Sequence, residues 1–228
     1  MPLKGNAFLG MWHDVEAGHE AEYHLWHTRE HMPERLSLPG FQRGRRGVGP
    51  DLPRQRYLTI YEGETLEAFR SAEYLRRLNE PTPWSATMAA HFRHFLRVAC
   101  ETISTTGAGA GGAVATIRAH LDPGVGEIAL IRAAPLLSER LMGLPGVCAV
   151  HIGLARPEYS DVDTTETELR PEMREPAFDV AILVEGVGEA ELQAEQGAMR
   201  EALSSSEISS ARTDVYHTAY LLSRDGGS

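Results

Sequence analysis

The run Tyr23-His24-Leu25-Trp26-His27-Thr28-Arg29-Glu30-His31-Met32-Pro33-Glu34-Arg35-Leu36-Ser37-Leu38-Pro39-Gly40 decides how this chain is expected to fold. Over 18–36 the apolar residues recur at helical spacing, and Leu38-Pro39-Gly40 then stops the helix and turns the chain into a strand at Phe41. The turn returns as Leu144-Pro145-Gly146-Val147, and Tyr61-Glu62-Gly63 returns as Val184-Glu185-Gly186. One unit is therefore written twice, with chemistry-capable residues concentrated in its first copy.

Working outward, strands are expected at 8–13, 41–48, 56–62 and 95–103, with helices at 18–36 and 66–78 and a short helix opened by Thr82-Pro83-Trp84. The second copy repeats the order with strands at 114–120, 147–155, 178–185 and 215–222 and helices at 128–141 and 189–203. A β-α-β-β-α-β unit is the ferredoxin-like split motif, with both helices on one face of its sheet. The expectation is an α+β chain of two tandem ferredoxin-like units, 1–103 and 113–224, packed sheet to sheet. Ser104-Thr105-Thr106-Gly107-Ala108-Gly109-Ala110-Gly111-Gly112 has almost nothing to bury and is expected to be a flexible linker over 104–112. Residues 157–176 carry seven carboxylates without apolar periodicity and are expected to form a disordered loop or a lid.

Composition narrows the function classes. The net charge of −10 arises downstream of residue 103, because residues 1–103 hold 13 basic and 13 acidic side chains. No basic stripe exists for nucleic acid or for an anionic membrane, and neither is expected as a partner. No apolar run reaches the roughly 20 residues needed to span a bilayer, and no leader pattern opens the chain, so a cytoplasmic protein is expected. Cys100 and Cys148 sit among apolar neighbours and read as buried thiols. The glycine run lacks the lysine of a phosphate loop, and no serine-centred nucleophile elbow occurs.

At Trp26-His27-Thr28-Arg29-Glu30-His31-Met32-Pro33 followed by Leu38-Pro39-Gly40-Phe41, the chain resembles the dimeric α/β-barrel superfamily, particularly its EthD-like branch. Tyr57-Leu58-Thr59-Ile60-Tyr61-Glu62 and Pro81-Thr82-Pro83-Trp84 carry the likeness further. It covers nearly all of 6–103, but only the topology and the Leu-Pro-Gly turn of 113–223. The resemblance implies an intramolecular α/β barrel with a pocket between facing sheets. The superfamily's activities include cofactor-independent oxygenation, isomerisation, cyclisation and haem degradation.

Candidate residues follow. His24, His27 and His31 lie three and four apart, which permits a metal site but equally suits an ordinary solvated helix, and no metal is assigned. His31, at the helix end beside Pro33, is the leading general base, its alternative being a structural histidine that bonds the following turn. Strand alternation offers Tyr61 and Tyr57 if Leu58 and Ile60 face the helices. Arg45 is the candidate anion stabiliser, weighed against surface salt bridging. Trp12, Trp26, Trp84, Tyr57 and His94 are candidate ligand contacts, weighed against plain core filling. The function expected is a cofactor-independent acid/base enzyme, an isomerase, cyclase, lyase or oxygenase. Its substrate is a small hydrophobic molecule of aromatic or polyketide-like kind, and a homodimer is an allowed assembly. Haem or metal binding by the first-unit histidines, and non-catalytic ligand binding, are the rival readings.

Overall fold

The computed structural model describes residues 3–170, 178–204 and 207–224. The first half runs β1 (Ala7–Val15), α1 (Glu20–Trp26), a π-helical turn (His27–His31), α2 (Met32–Leu36), β2 (Phe41–Val48), β3 (Tyr57–Gly63), α3 (Ala72–Asn79), α4 (Pro83–Ala89) and β4 (Phe92–Gly107). The second runs β5 (Ala113–Leu121), α5 (Glu127–Met142), β6 (Val147–Ala155), a short α6 (Thr165–Glu168), β7 (Val180–Gly186), α7 (Glu189–Ala194), α8 (Gln196–Ser204) and β8 (Ile208–Ser223). Both halves thus show the β-α-β-β-α-β order of a ferredoxin-like α+β unit.

The repeated turn is the same structure twice. Gly40 and Gly146 both take left-handed backbone conformations, φ +82° and +74°, which glycine adopts without a side-chain clash. The carbonyls of these two glycines accept from Glu64 N–H at 2.8 Å and Val187 N–H at 2.9 Å.

The chain divides into two compact units whose boundaries differ from the expected 1–103, 104–112 and 113–224. Among the described residues, one consists of 4–99, 156–170 and 219–224; the other of residue 3, 100–155, 178–204 and 207–218. Residues 104–107 continue β4 and pair with β6, Ser104 opposite Ile152 and Gly107 opposite Ala149, so the expected linker shrinks to 108–112. Backbone pairing needs no apolar side chains, which is why composition missed it. Residues 156–170 belong with the first unit and form a 3₁₀ turn (Pro157–Tyr159) and α6. The remainder of the expected loop, 171–176, lies outside the described residues. Cys148 is half-buried, whereas Cys100 is buried.

In the first unit the strand order is β4-β1-β3-β2-β8, using those parts of β4 and β8 that belong to it. Its helices pack on the sheet face carrying Leu9, Met11, Tyr57 and Tyr61, which share one core with Tyr23, Trp26 and Met32. Leu58 and Ile60 therefore turn away from the helices, the reverse of the premise used to assign the strand faces. Phe8, Gly10 and Trp12 lie on that opposite face, where a Cβ on Gly10 would sit 2.4 Å from the buried Trp12 indole. Gly10→Ala is expected to destabilise the protein by about 1–3 kcal/mol through overpacking, measured by urea unfolding.

In the second unit the order is β8-β5-β7-β6-β4, with a core from α5, α8 and the β5–β7 face. Among the described residues no helix is long and apolar enough to cross a membrane.

Candidate active site

The site begins with a fault in the first helix. Pro33 has no N–H to offer the carbonyl four residues back, and its ring crowds that position, so the helix cannot stay regularly wound. The turn ahead of it, His27–His31, widens into a π-helix, a form common at functional sites. Both histidines that bound this turn point inward and are buried, with ring centroids 5.5 Å apart. Trp26 lies against His31 at 4.3 Å, its indole N–H donating to Ser85 Oγ at 3.1 Å. Glu30 fastens the turn to α4 by accepting from Thr82 Oγ1 at 2.5 Å and Ser85 Oγ at 3.3 Å.

These residues enclose a cavity of about 20 Å³, room for one water-sized molecule. Met11, His13 and Thr59 line it from the sheet and Trp26, His27 and His31 from the helix. Phe92 and Phe95 line it from β4, and Glu166 and Arg170 from the 156–170 segment. His94, between the two phenylalanines, has φ +51°, and this bulge-like residue breaks the alternation so that both rings reach His13, at 4.7 and 5.8 Å.

The cover is ionic. Glu166 is buried, accepting from Arg35 at 2.9 Å and from Arg170 at 2.6 Å. Burial alone would raise its carboxyl pKa, but Arg170, Arg35 and Arg97 hold it below the usual range. The Arg170 guanidinium stacks on Phe95 at 3.9 Å, and its Nε has no hydrogen-bond partner among the described residues.

Hydrogen bonds from the sheet and the first helix hold the buried imidazoles. The Asp14 carbonyl can only accept, so His13 Nδ1, 3.3 Å away, donates to it. Burial lowers the His13 pKa to about 4, leaving Nε2 unprotonated to accept from Tyr23 OH at 3.3 Å. Tyr23, whose phenol burial keeps protonated, thereby spends its hydrogen on His13. The Thr59 hydroxyl lies 3.0 Å from His27 Nε2, within hydrogen-bonding distance. Burial and the neighbouring His31 keep His27 neutral, and its Nδ1 has no hydrogen-bond partner among the described residues. His31 is likewise kept neutral, first by burial and then by Arg35 and Arg170, and its Nδ1 is also unpartnered there.

No protein-family model and no curated protein matches this chain. Solved structures do. An anthrone oxidase-like protein aligns with a TM-score of 0.66 at 12% identity, covering 96% of this chain and 94% of its own. A candidate monooxygenase of Fusobacterium nucleatum gives 0.61 at 10% identity, covering 98% and 97%. One from Lactobacillus acidophilus gives 0.57 at 9%, covering 96% of each chain. The chain shares their fold. At such identities the likeness is one of architecture alone.

Of the residues proposed from sequence, His31 and Trp26 line the cavity. Tyr61 is on the same sheet face with its ring 6.4 Å from His31, and its hydroxyl is buried without a partner among the described residues. Tyr57 stacks behind His13 at 5.7 Å. Arg45 pairs across the strands with Ile60 and Trp12 with Leu58, so both share the face turned from the helices and stand outside this cavity. The arginine on the cavity side of β2 is Arg46, bonded to Thr28 Oγ1 at 3.0 Å. His94 bonds Asp14 at 2.9 Å, and Trp84 donates to Glu22 at 2.7 Å. Sequence reasoning missed Glu166 and Arg170 as site residues, and weighed His27 only as a metal ligand. His24, His27 and His31 do not gather as a ligand cluster among the described residues, because the π turn carries only the last two inward.

Proposed function

We propose that this cavity is the reaction centre of a cofactor-independent oxygenase. His27 Nδ1 removes a proton from a weakly acidic carbon of a small hydrophobic substrate, and Arg170 stabilises the anion formed. The observation that carries the reading is a buried, neutral His27 that meets Thr59 through Nε2 while its Nδ1, without a hydrogen-bond partner among the described residues, belongs to a residue lining a mostly apolar cavity. The monooxygenase-like neighbours support dioxygen as the second substrate. For an activated methylene the overall step is R₂CH₂ + O₂ → R₂C=O + H₂O: two C–H bonds and the O–O bond break, one oxygen becomes the carbonyl and the other leaves as water. An organic substrate would present its reacting edge on displacement of Glu166, which frees the Arg170 guanidinium to meet the anion.

The sequence pattern of Trp26, His31 and the repeated Leu-Pro-Gly turn supports an EthD-like, internally duplicated origin.

Oxygen uptake with anthrone-type and other enolisable aromatic ketones tests the reading. His27→Ala should lower turnover by a factor on the order of 10²–10⁴. Thr59→Val, which removes the hydroxyl that meets Nε2, should lower it less and shift the pH profile. Wild-type turnover in His27→Ala would overturn the assignment, and a loss confined to His31→Ala would return the role to His31. A Soret band on mixing with haemin would favour the haem reading instead.

A further inference from the structure

Outside the cavity, three side chains with metal-binding atoms meet where β1 ends, α1 begins and β4 begins. We propose that Glu16, His19 and His91 form a binding site for a divalent transition metal such as Zn²⁺. Their ligand atoms all lie within 4.8 Å of one another, and no other group of three such side chains occurs among the described residues.

The backbone holds the three in place. Glu16 N–H donates to the His91 carbonyl at 2.9 Å, and His19 N–H donates to the Glu16 carbonyl at 3.1 Å. The imidazoles of His19 and His91 are stacked with centroids 3.5 Å apart, and His91 Nδ1 lies 2.9 Å from Glu16 Oε2. In a tetrahedral zinc site, with bonds of about 2.0–2.2 Å, two ligand atoms stand about 3.4 Å apart. Admitting the ion therefore opens the Glu16–His91 pair by roughly half an ångström and turns the stacked imidazoles until both ring planes meet the ion, which takes the place of their hydrogen bond. Two imidazoles and one carboxylate suit Zn²⁺, Ni²⁺ or Cu²⁺ and leave a coordination position to water. Arg93 Nη2, 3.1 Å from Glu16 Oε2, is the competitor for the carboxylate. The bound ion would clip the start of α1 to the start of β4, two segments that carry cavity residues.

Calorimetric titration of the full chain with ZnCl₂ at pH 7.5 tests this. One equivalent is expected to bind with Kd on the order of 10 μM, raising Tm as ligand linkage requires. His19→Ala and His91→Ala should each weaken binding at least tenfold, and Arg93→Gln should tighten it severalfold. His120→Ala, altering an exposed histidine elsewhere, should change nothing. Circular dichroism of each variant separates loss of the site from loss of the fold. Absence of binding tighter than about 1 mM in the wild type would overturn the proposal. So would binding unchanged in both folded histidine variants.

Discussion

Taking the protein from pH 7.5 to about pH 4 is expected to remove several kcal/mol of stability, most of it lost between pH 6.5 and 4. His13 is buried and neutral, with its pKa lowered from 6.5 to about 4, so over that interval the unfolded chain binds a proton the folded one refuses. At 1.36 kcal/mol per unit, this residue alone contributes a loss of roughly 3 kcal/mol by pH 4. His27 and His31, both held well below the ordinary histidine range, act in the same direction. Urea unfolding at pH 7.5, 6.5, 5.5 and 4.5 measures the slope. A stability that stays level down to pH 5 would mean that these imidazoles are protonated in the fold, and the neutral base proposed at His27 would fall with it.

The second large effect concerns the ionic cover. Glu166→Ala leaves Arg170 buried without its carboxylate and removes one of the two carboxylates on Arg35, which keeps Glu34 at 2.9 Å. Breaking a buried pair from one side costs about 3–5 kcal/mol, because a desolvated charge is left uncompensated. Either global stability falls by that amount, or residues 156–170 detach and the loss is capped at the cost of local opening. Urea unfolding with hydrogen exchange distinguishes the two. Glu166→Gln, which keeps the shape and one acceptor oxygen, should lose less. A change below 1 kcal/mol with exchange in 156–170 unaltered would show that the segment is held by something other than this cluster.

These two results rest on residues that differ in how far the sequence discloses them. The β-α-β-β-α-β order and the two Leu-Pro-Gly turns are legible because local rules write them: periodicity, branched residues in strands, glycine where φ must be positive. His31 and Trp26 are legible as neighbours for the same reason. The facing of β1 and β3 is not, because every residue from Ala7 to Val15 and from Tyr57 to Gly63 is buried, and an alternation of buried with buried carries no inward or outward signal. Trp12 and Arg45 therefore stand on one face and Tyr57 and Tyr61 on the other, with nothing in the sequence to separate them. Regular helical spacing also hid the π turn, which requires Pro33 to be read as a cause of rewinding rather than a stop. Glu166 eluded composition altogether. A run of carboxylates looks solvated until its arginine partner is seen, and Arg35 lies 131 positions away.

The π turn has a consequence for descent. Such a turn is an α-helix with one residue too many, so it is gained or lost by a single-codon insertion or deletion. Removing one residue within 27–31 would rewind the helix and rotate whatever precedes it by about 100°, swinging His27 and Trp26 off the sheet while His31 stays. Ancestors and paralogues differing by that one codon would keep the Leu-Pro-Gly turn, the fold and nearly every residue named here, yet lack the pair of inward imidazoles. In this lineage the acquisition of chemistry would then be recorded as a gap in an alignment rather than as a substitution.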